Sequence, residues 1–286
     1  MKKKRMFWKT ILIISVIGSA CCLGFVSWYL YQDTAAGEQY GEVQESFGDA
    51  VSSTPLETIN NAEFTGEQDG EEAGIPDDIF LDMENPIDFD ELEKINPDLY
   101  AWIRIPDTKI DYPIAQRAGD DSYYLSHDMY GQPRVAGCIY TEECNSRDFS
   151  DPNTVIYGHN MKNKSMFQNL HLFEDSEFFE EHPYIYIYTP EHVLAYKVFA
   201  AYNYDDRHIM NSFDFTDEEV FAEYLEDIFH VRSMYKNLRE DVSVTKENII
   251  ITLETCIGGQ PNARYLVQAV LTKDEFNEEV EKEERD

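Results

Sequence analysis

The sequence predicts a mainly β fold with helices, in which short strands form a small β-barrel. Segments rich in β-branched and aromatic residues recur from Ala101 to Leu271, separated by turn residues. One amphipathic helical segment interrupts them near Thr216. Many short strands with one long helical insertion are typical of such a barrel, and the sequence contains no internal repeats.

The N-terminal residues 1–31 predict a membrane anchor with a short cytoplasmic tail. Met1–Arg5 is basic, and Ile11–Leu30 carries no charged residue. At about 1.5 Å per residue, this apolar segment spans a hydrocarbon core of about 30 Å. Positive charge before the segment places the N-terminus inside the cell and the remainder outside, so that the chain is a single-pass membrane protein.

Two other interpretations of the N-terminus remain open. A cleaved signal peptide would have a shorter apolar segment and a small-residue cleavage site, for which Thr34–Ala36 is a weak candidate. Lipid attachment at Cys21 or Cys22 is the second, although Gly18–Ala20 lacks the large apolar residue that such sites usually carry. The uncleaved anchor is favoured over both.

The remainder of the chain divides into a linker, a domain and a tail. Residues 32–78 are polar and acidic, with no Lys or Arg, which predicts a disordered tether. Residues 79–273 form the predicted catalytic domain, and residues 274–286 form a charge-rich tail. Phe80–Tyr100, which contains two prolines, predicts short helices that lead into the domain.

Seven strands are predicted within the domain from runs of β-branched and aromatic residues. They are Ala101–Ile105, Val135–Tyr140, Thr154–Tyr157, Tyr184–Tyr188, His192–Tyr202, Asn248–Leu253 and Arg264–Leu271. The turn at Thr189–Glu191 predicts a hairpin. The capping box Thr216-Asp-Glu-Glu219 marks the start of the predicted helix.

Cys256 is the first candidate for chemistry. It ends the apolar segment Ile249–Thr255 and precedes a Gly-Gly-Gln-Pro loop, while Arg264 opens the next predicted strand. If these strands are neighbours, the sulfur and the guanidinium can face each other. A cation favours the thiolate, and the guanidinium can donate to an oxyanion. The other interpretation of Cys256 is a buried, small apolar residue.

His159 is the second candidate, because it also follows a predicted strand directly. A histidine at a strand exit can be held in place and still exchange protons. Cysteine with a positioned histidine forms a nucleophile–base pair. The other histidines are expected in loops or on charged faces: His127, His171, His182, His192, His208 and His230.

Charge and cysteine spacing exclude other classes of function. The net charge of −33 argues against binding of nucleic acid. Cys138 and Cys144 are too far apart in sequence for a common zinc motif, so no metal site is expected. Three cysteines follow the predicted anchor, and this odd number predicts at least one free thiol outside the membrane.

Together, these motifs resemble the sortase family. Thr252-Leu-Glu-Thr-Cys256 is similar to the family's T-L-x-T-C motif, Tyr157-Gly-His159 to its histidine segment, and Arg264 to its arginine. The chain is most similar to class B sortases, although many of those carry Ser where this chain has Glu254. The resemblance implies a closed eight-stranded β-barrel with N-terminal helices and one long helix, Thr216 to about Tyr235, before the last two strands.

The resemblance also implies a reaction without a cofactor. Cys256 would attack the carbonyl after Thr in the C-terminal sorting signal of a surface protein, and the resulting thioacyl-enzyme would be resolved by an amine of a peptidoglycan precursor or a pilin. His159 would transfer protons, and Arg264 would stabilise the oxyanion. The resemblance and the position beside Cys256 make five residues candidates for substrate binding: Leu125, Ile209, Met210, Glu254 and Thr255.

Two alternative functions remain. An extracellular cysteine protease would use water to resolve the acyl-enzyme, but papain-like enzymes place cysteine before histidine and at the start of a helix. An inactive, membrane-tethered binding module would not need the set of cysteine, histidine and arginine. Arg239 is expected on the outer surface, where its replacement should have little effect.

Overall fold

A computed structural model describes residues 12–28, 31, 40–41, 43–44 and 85–276. Residues 12–28 are helical, but no helix in these ranges is both long enough and apolar enough to cross a membrane. The remaining residues of the predicted anchor lie outside the described residues. So do most of the predicted linker and residues 277–286 of the predicted tail.

Eight strands close into a barrel, as predicted. The strands are β1 Leu99–Arg104, β2 Asp111–Ala115, β3 Ile139–Thr141, β4 Asn153–Tyr157, β5 Tyr184–Tyr188, β6 His192–Asp205, β7 Lys236–Leu238, β8 Ile250–Ile257 and β9 Gln260–Phe276. In the order β5-β1-β2-β3-β4-β8-β9-β6, each strand pairs with the next, and the pairing of β5 with β6 closes the ring. Strand β7 extends the sheet from β6.

Four α-helices and two 3₁₀-helices surround the described barrel. The α-helices are α1 Phe89–Ile95, α2 Ser176–Glu181, α3 Ile209–Ser212 and α4 Glu218–Phe229, and the 3₁₀-helices are Tyr123–Leu125 and Phe167–Glu174. Helix α4 is the predicted long helix, but it is shorter than expected. Its N-cap is Asp217, whose carboxylate accepts from the backbone N–H groups of Glu219 and Val220.

Both predicted boundaries of α4 were wrong: the N-cap is Asp217, and the helix ends at Phe229. The hydroxyl of Thr216 donates to Asp214 at 2.6 Å, so it does not cap the helix. At the other end, the helix stops before His230, and the chain then forms β7, which pairs with Ala200–Tyr202 of β6. The last residues of the predicted helix, 230–235, are instead irregular and lead into β7.

Two strands also differ from the sequence prediction. Strand β3 begins only at Ile139, because Gly137 has a positive φ of 61° and a Cβ there would lie 2.3 Å from the carbonyl oxygen of Tyr124. Strand β2 was not predicted, since Pro113 interrupts its sequence pattern. Pro113 pairs with Trp102 of β1, whereas the pairing of β2 with β3 uses only Ile114 and Ala115.

Part of the predicted linker contacts the barrel. Tyr40 and Val43 are buried, and the hydroxyl of Tyr40 donates to the carbonyl oxygen of Gly137 at 2.7 Å. The ring of Tyr40 packs edge-on against Tyr112 of β2. At these positions the expectation of a disordered tether was wrong, because the ring of Tyr40 buries apolar surface against the barrel.

Arg239 is buried, not on the outer surface as expected. Its Nε donates to the carbonyl oxygen of Val198 at 3.1 Å, and its Nη2 donates to that of Phe179 at 2.6 Å. Its Nη1 forms an ion pair with Glu180 at 2.6 Å. This arginine joins β6 to helix α2, so its role is structural.

Candidate active site

The ends of β4 and β8 lie side by side and hold the two main candidates. The two strands are parallel, with Tyr157 opposite Glu254. Beyond this pair, the N–H of Gly158 donates to the carbonyl oxygen of Glu254, and the hydroxyl of Thr255 donates to the carbonyl oxygen of Gly158 at 2.8 Å. These two hydrogen bonds fix the turn before His159 next to the strand that carries Cys256.

Gly158 is required at this turn by close packing. A Cβ at this position would lie 2.6 Å from side-chain atoms of both Ile139 and Phe167. The carbonyl oxygen of His159 then accepts from the N–H of Phe167 at 3.0 Å, which fixes the start of the following loop. The Tyr-Gly-His segment thus sets the position of the imidazole through its backbone.

Cys256 and Arg264 are opposite each other in the antiparallel pair β8–β9. The sequence prediction that these strands are neighbours is therefore confirmed. Cys256 is exposed, and the turn that follows it contains Gly259 with a positive φ of 77°. Glu254 lies two residues before Cys256 on the same face of β8, and its Oε1 is 3.3 Å from Nε of Arg264.

The backbone of Cys256 is held by the loop that carries His159. Nδ2 of Asn160 donates to the carbonyl oxygen of Cys256 at 2.7 Å and lies 2.9 Å from Nε2 of His171. Nδ1 of His171 contacts Oε1 of Glu174 at 2.6 Å. Asn160 thus links the histidine loop directly to the end of the cysteine strand.

The hydrogen bond of His159 defines which ring nitrogen is free. Its Nε2 lies 2.7 Å from the carbonyl oxygen of Leu125. A carbonyl oxygen can only accept, so Nε2 carries a proton in this arrangement. Nδ1 is then the nitrogen left to accept or donate a proton in a reaction.

A cavity of about 360 Å³ connects these groups. Six of the eight candidate residues line it: Leu125, His159, Glu254, Thr255, Cys256 and Arg264. The other two do not, since Ile209 is fully buried in the core and Met210 lines a separate depression beside Cys144. Thr255 is 2% exposed and its hydroxyl is bonded to Gly158, so it contributes to the architecture of the site.

The cavity contains ionisable residues that sequence patterns did not indicate. Glu142, which follows β3, pairs with Nε2 of His208 at 2.7 Å. Burial raises the pKa of Glu142, and the contact with His208 opposes this shift. Burial also raises the pKa of Glu254, to about 7, against the opposing effect of Arg264. His208 precedes Ile209, one of the residues that the resemblance assigned to substrate binding, but Glu142 had no such signal.

The closed eight-stranded barrel with its surrounding helices defines a fold of the sortase type. A sortase-domain model matches residues 103–272, which is more than half of the chain. The chain belongs to the sortase family. Sortases are cysteine transpeptidases and are typically anchored in a membrane.

The similar proteins are sortases of class B. Sortase B of Listeria monocytogenes is 36% identical over 166 residues, which cover 58% of this chain and 65% of that protein. Sortase B of Staphylococcus aureus is 29% identical over 59% of this chain and 67% of its own length. The matched part of this chain thus spans about two thirds of each relative.

Solved structures agree with the sequence matches. A Staphylococcus aureus sortase B–substrate complex superposes with a TM-score of 0.58 and 28% identity, covering 65% of this chain and 84% of that chain. Clostridium perfringens sortase B gives a TM-score of 0.59 with 28% identity, covering 65% of this chain and all of that chain. The fold is therefore that of sortase B.

Proposed function

We propose that this chain is a transpeptidase that cleaves a C-terminal sorting signal after Thr and transfers the acyl group to an amine. The observation that carries the proposal is the cavity in which an exposed cysteine, a histidine and an arginine meet at joined strand ends. The Staphylococcus aureus relative was solved with a bound substrate, which supports a peptide as the occupant of the same region.

The first half-reaction follows from the positions of the side chains. The thiol proton of Cys256 passes to Nδ1 of His159, and the resulting thiolate attacks the carbonyl carbon of the scissile Thr, whose oxygen becomes an oxyanion. Nη1 of Arg264 donates hydrogen bonds to the carbonyl oxygens of Pro261 and Ala263. Nη2 has no acceptor within the described part of the chain. Nη2 is thus the donor available to the oxyanion. The C–N bond breaks, and the leaving amine takes a proton from Nδ1 of His159.

The second half-reaction reverses these steps with a new amine. The incoming amine loses a proton to Nδ1 of His159 and attacks the thioacyl carbonyl, after which the thiolate of Cys256 leaves. The acceptor is an amine of a peptidoglycan precursor or a pilin, and the donor is a surface protein that carries the sorting signal. Ile209 and Met210 lie outside the cavity and are not part of this proposal.

The location outside the cell follows from the predicted anchor. The basic Met1–Arg5 segment and the apolar residues after it support a single-pass protein with the barrel on the outer side. A barrel on the outer side supports an amine of a peptidoglycan precursor or a pilin as the acceptor.

The test is to trap the acyl-enzyme with labelled peptides that contain a Thr-centred sorting signal. Mass spectrometry should find one thioacyl adduct, on Cys256, and Cys256→Ala should abolish both the adduct and turnover while the melting temperature stays unchanged. Because Cys144 is also exposed, Cys144→Ala is the matched control and should retain the adduct. An adduct on Cys138 or Cys144 would refute the assignment.

The same assay separates transfer from hydrolysis. Adding an amine acceptor should increase the rate of peptide consumption and convert the product from a free acid to an amide. If consumption and product stay the same with every amine in the panel, the chain is an extracellular cysteine protease instead. If no peptide forms an adduct, the interpretation as an inactive binding module is favoured.

A further inference from the structure

The 3₁₀-helix Phe167–Glu174 carries a histidine that lies behind the end of β8 and does not line the cavity. A 3₁₀-helix has three residues per turn, so side chains three apart in sequence lie above one another. Phe167, Leu170 and Phe173 form one such row and are buried in the core. His171 and Glu174 belong to the adjacent row, where their side chains meet.

The contacts of His171 define its protonation state. Nδ2 of Asn160 is an amide nitrogen, which can only donate, and it donates to the carbonyl oxygen of Cys256 at 2.7 Å. Nε2 of His171 lies 2.9 Å from the same nitrogen and must therefore accept. The proton of the neutral ring is then on Nδ1, which donates to Oε1 of Glu174 at 2.6 Å.

This arrangement places one donor between two acceptors. Nε2 of His171 and the carbonyl oxygen of Cys256 are 3.2 Å apart, and neither carries a proton. The amide of Asn160 is the donor that they share. An acceptor at Nε2 thus fixes the rotation of the amide, and the fixed amide in turn holds the carbonyl group at the end of β8.

The imidazole of His171 is itself held from two sides. Glu174 accepts from Nδ1, and the ring stacks on Tyr265 of β9 with centroids 5.0 Å apart. Tyr265 is buried and directly follows Arg264 in β9. The ring of His171 therefore contacts both of the strands that carry the cysteine and the arginine of the site.

We propose, on the basis of the transpeptidase function above, that His171, held by Glu174, is a positioning residue for Cys256. It acts through the amide of Asn160 and touches neither the thiol nor the cavity. Loss of this contact should lower kcat and leave KM unchanged, because the walls of the cavity stay in place while the end of β8 is held less firmly.

The first experiment compares two variants that each keep one half of the contacts of the ring. In His171→Gln the amide reaches the position of Nε2, whereas in His171→Asn it reaches only the position of Nδ1. Steady-state kinetics with a preferred peptide should show a decrease in kcat of about fivefold for Asn, as for loss of one hydrogen bond, and of at most about twofold for Gln. Equal rates in the two variants, a lower rate for Gln, or a change in KM alone would overturn the proposal.

His182 provides the matched control. Its side chain is 16% exposed, compared with 15% for His171, and its Nε2 lies 3.3 Å from Oδ2 of Asp107. Its ring stacks on Phe178, away from the cavity. His182→Asn should keep the kcat of the wild type. A decrease equal to that of His171→Asn would show a general effect of replacing a packed histidine and would refute the proposal.

A second variant keeps the imidazole and removes only its support. The side chain of Glu174 is 43% exposed, so Glu174→Ala should fold even if the variants of His171 do not. It removes the acceptor for Nδ1, and kcat should decrease by about threefold at constant KM. Wild-type kcat in Glu174→Ala would refute the positioning role of the pair.

A measurement on the thiol separates this proposal from the proposed function. Alkylation by iodoacetamide, followed by mass spectrometry of the fragment that contains Cys256, needs no peptide substrate. His171→Asn should slow it about fivefold and His171→Gln should not, because the thiolate is favoured where the sulfur is held beside Arg264. This difference in a chain that forms no adduct with any peptide would refute the transpeptidase and keep the positioning role. Equal alkylation rates in a chain that does form the adduct would refute the positioning role alone.

Discussion

Arg264 and Arg239 each pair with a glutamate, but their surroundings differ. Arg239 has all three nitrogens engaged, with Val198, Phe179 and Glu180, and its side chain is 8% exposed. The side chain of Arg264 is 25% exposed and keeps Nη2 free of acceptors within the described residues. A guanidinium with every donor used can only stabilise the fold, whereas one with a spare donor beside a cysteine can bind a reacting group.

The largest effect in this comparison is expected at Arg264. Arg264→Lys keeps the charge but loses the planar fork, so kcat/KM should fall on the order of 10²-fold or more, as for loss of an oxyanion donor. Arg264→Ala should lose at least as much. Steady-state kinetics with a preferred peptide would measure this, and a melting curve would show little change. Near-full activity of Arg264→Lys would mean that Arg264 contributes only its charge.

Arg239 should show the opposite pattern. Arg239→Ala removes the donors to the carbonyl oxygens of Val198 and Phe179, and it should lower the free energy of unfolding by about 2–3 kcal/mol. Urea titration measures this loss, and kcat/KM per folded molecule should stay close to the wild-type value. The exposed Arg232 is the matched control, and Arg232→Ala should change neither quantity. A large loss of kcat/KM without loss of stability would contradict the structural role.

Glu254 should make stability depend on pH. Its pKa is about 7 in the folded chain, because burial raises it, and is about 4.3 when unfolded. A raised pKa stabilises the fold at low pH, and this contribution is lost as pH rises through the folded pKa. Between about pH 5 and pH 8, the wild type should therefore lose about 2 kcal/mol relative to Glu254→Gln. Parallel urea titrations would measure the difference, and equal pH profiles would contradict it.

The smallest effect is expected at Asn160, which contacts the carbonyl oxygen of Cys256 and the ring of His171. Asn160→Ala removes the amide donor to the carbonyl oxygen of Cys256, which also lies 3.2 Å from Nε2 of His171, so the strand end is held less firmly. Loss of one hydrogen bond of about 1 kcal/mol predicts a decrease of several-fold in kcat/KM. Kinetics and the rate of thiol labelling would both respond. Unchanged values in both assays would show that β8 and β9 position Cys256 without this contact.

Local patterns in the sequence were sufficient for the strands that carry the site. Alternation in Tyr184–Tyr188 and the apolar run before Cys256 predicted β5 and β8 because strand propensity and side-chain periodicity are local properties. The same locality explains the prediction that Cys256 and Arg264 lie on adjoining strands, since only a short turn separates them. Membership of the sortase family also followed from three short motifs.

Other features were decided only by the tertiary structure. The environment of Arg239 depends on Phe179 and Val198, which are distant in sequence, so no local pattern marks it as buried. Glu142 follows β3 and Glu254 lies on β8, and the two share one cavity only because β4 pairs with both of these strands. The sequence by itself determined which residues carry the proposed chemistry. Closure of the barrel determined which charges surround them, because burial and long-range contacts depend on the complete fold.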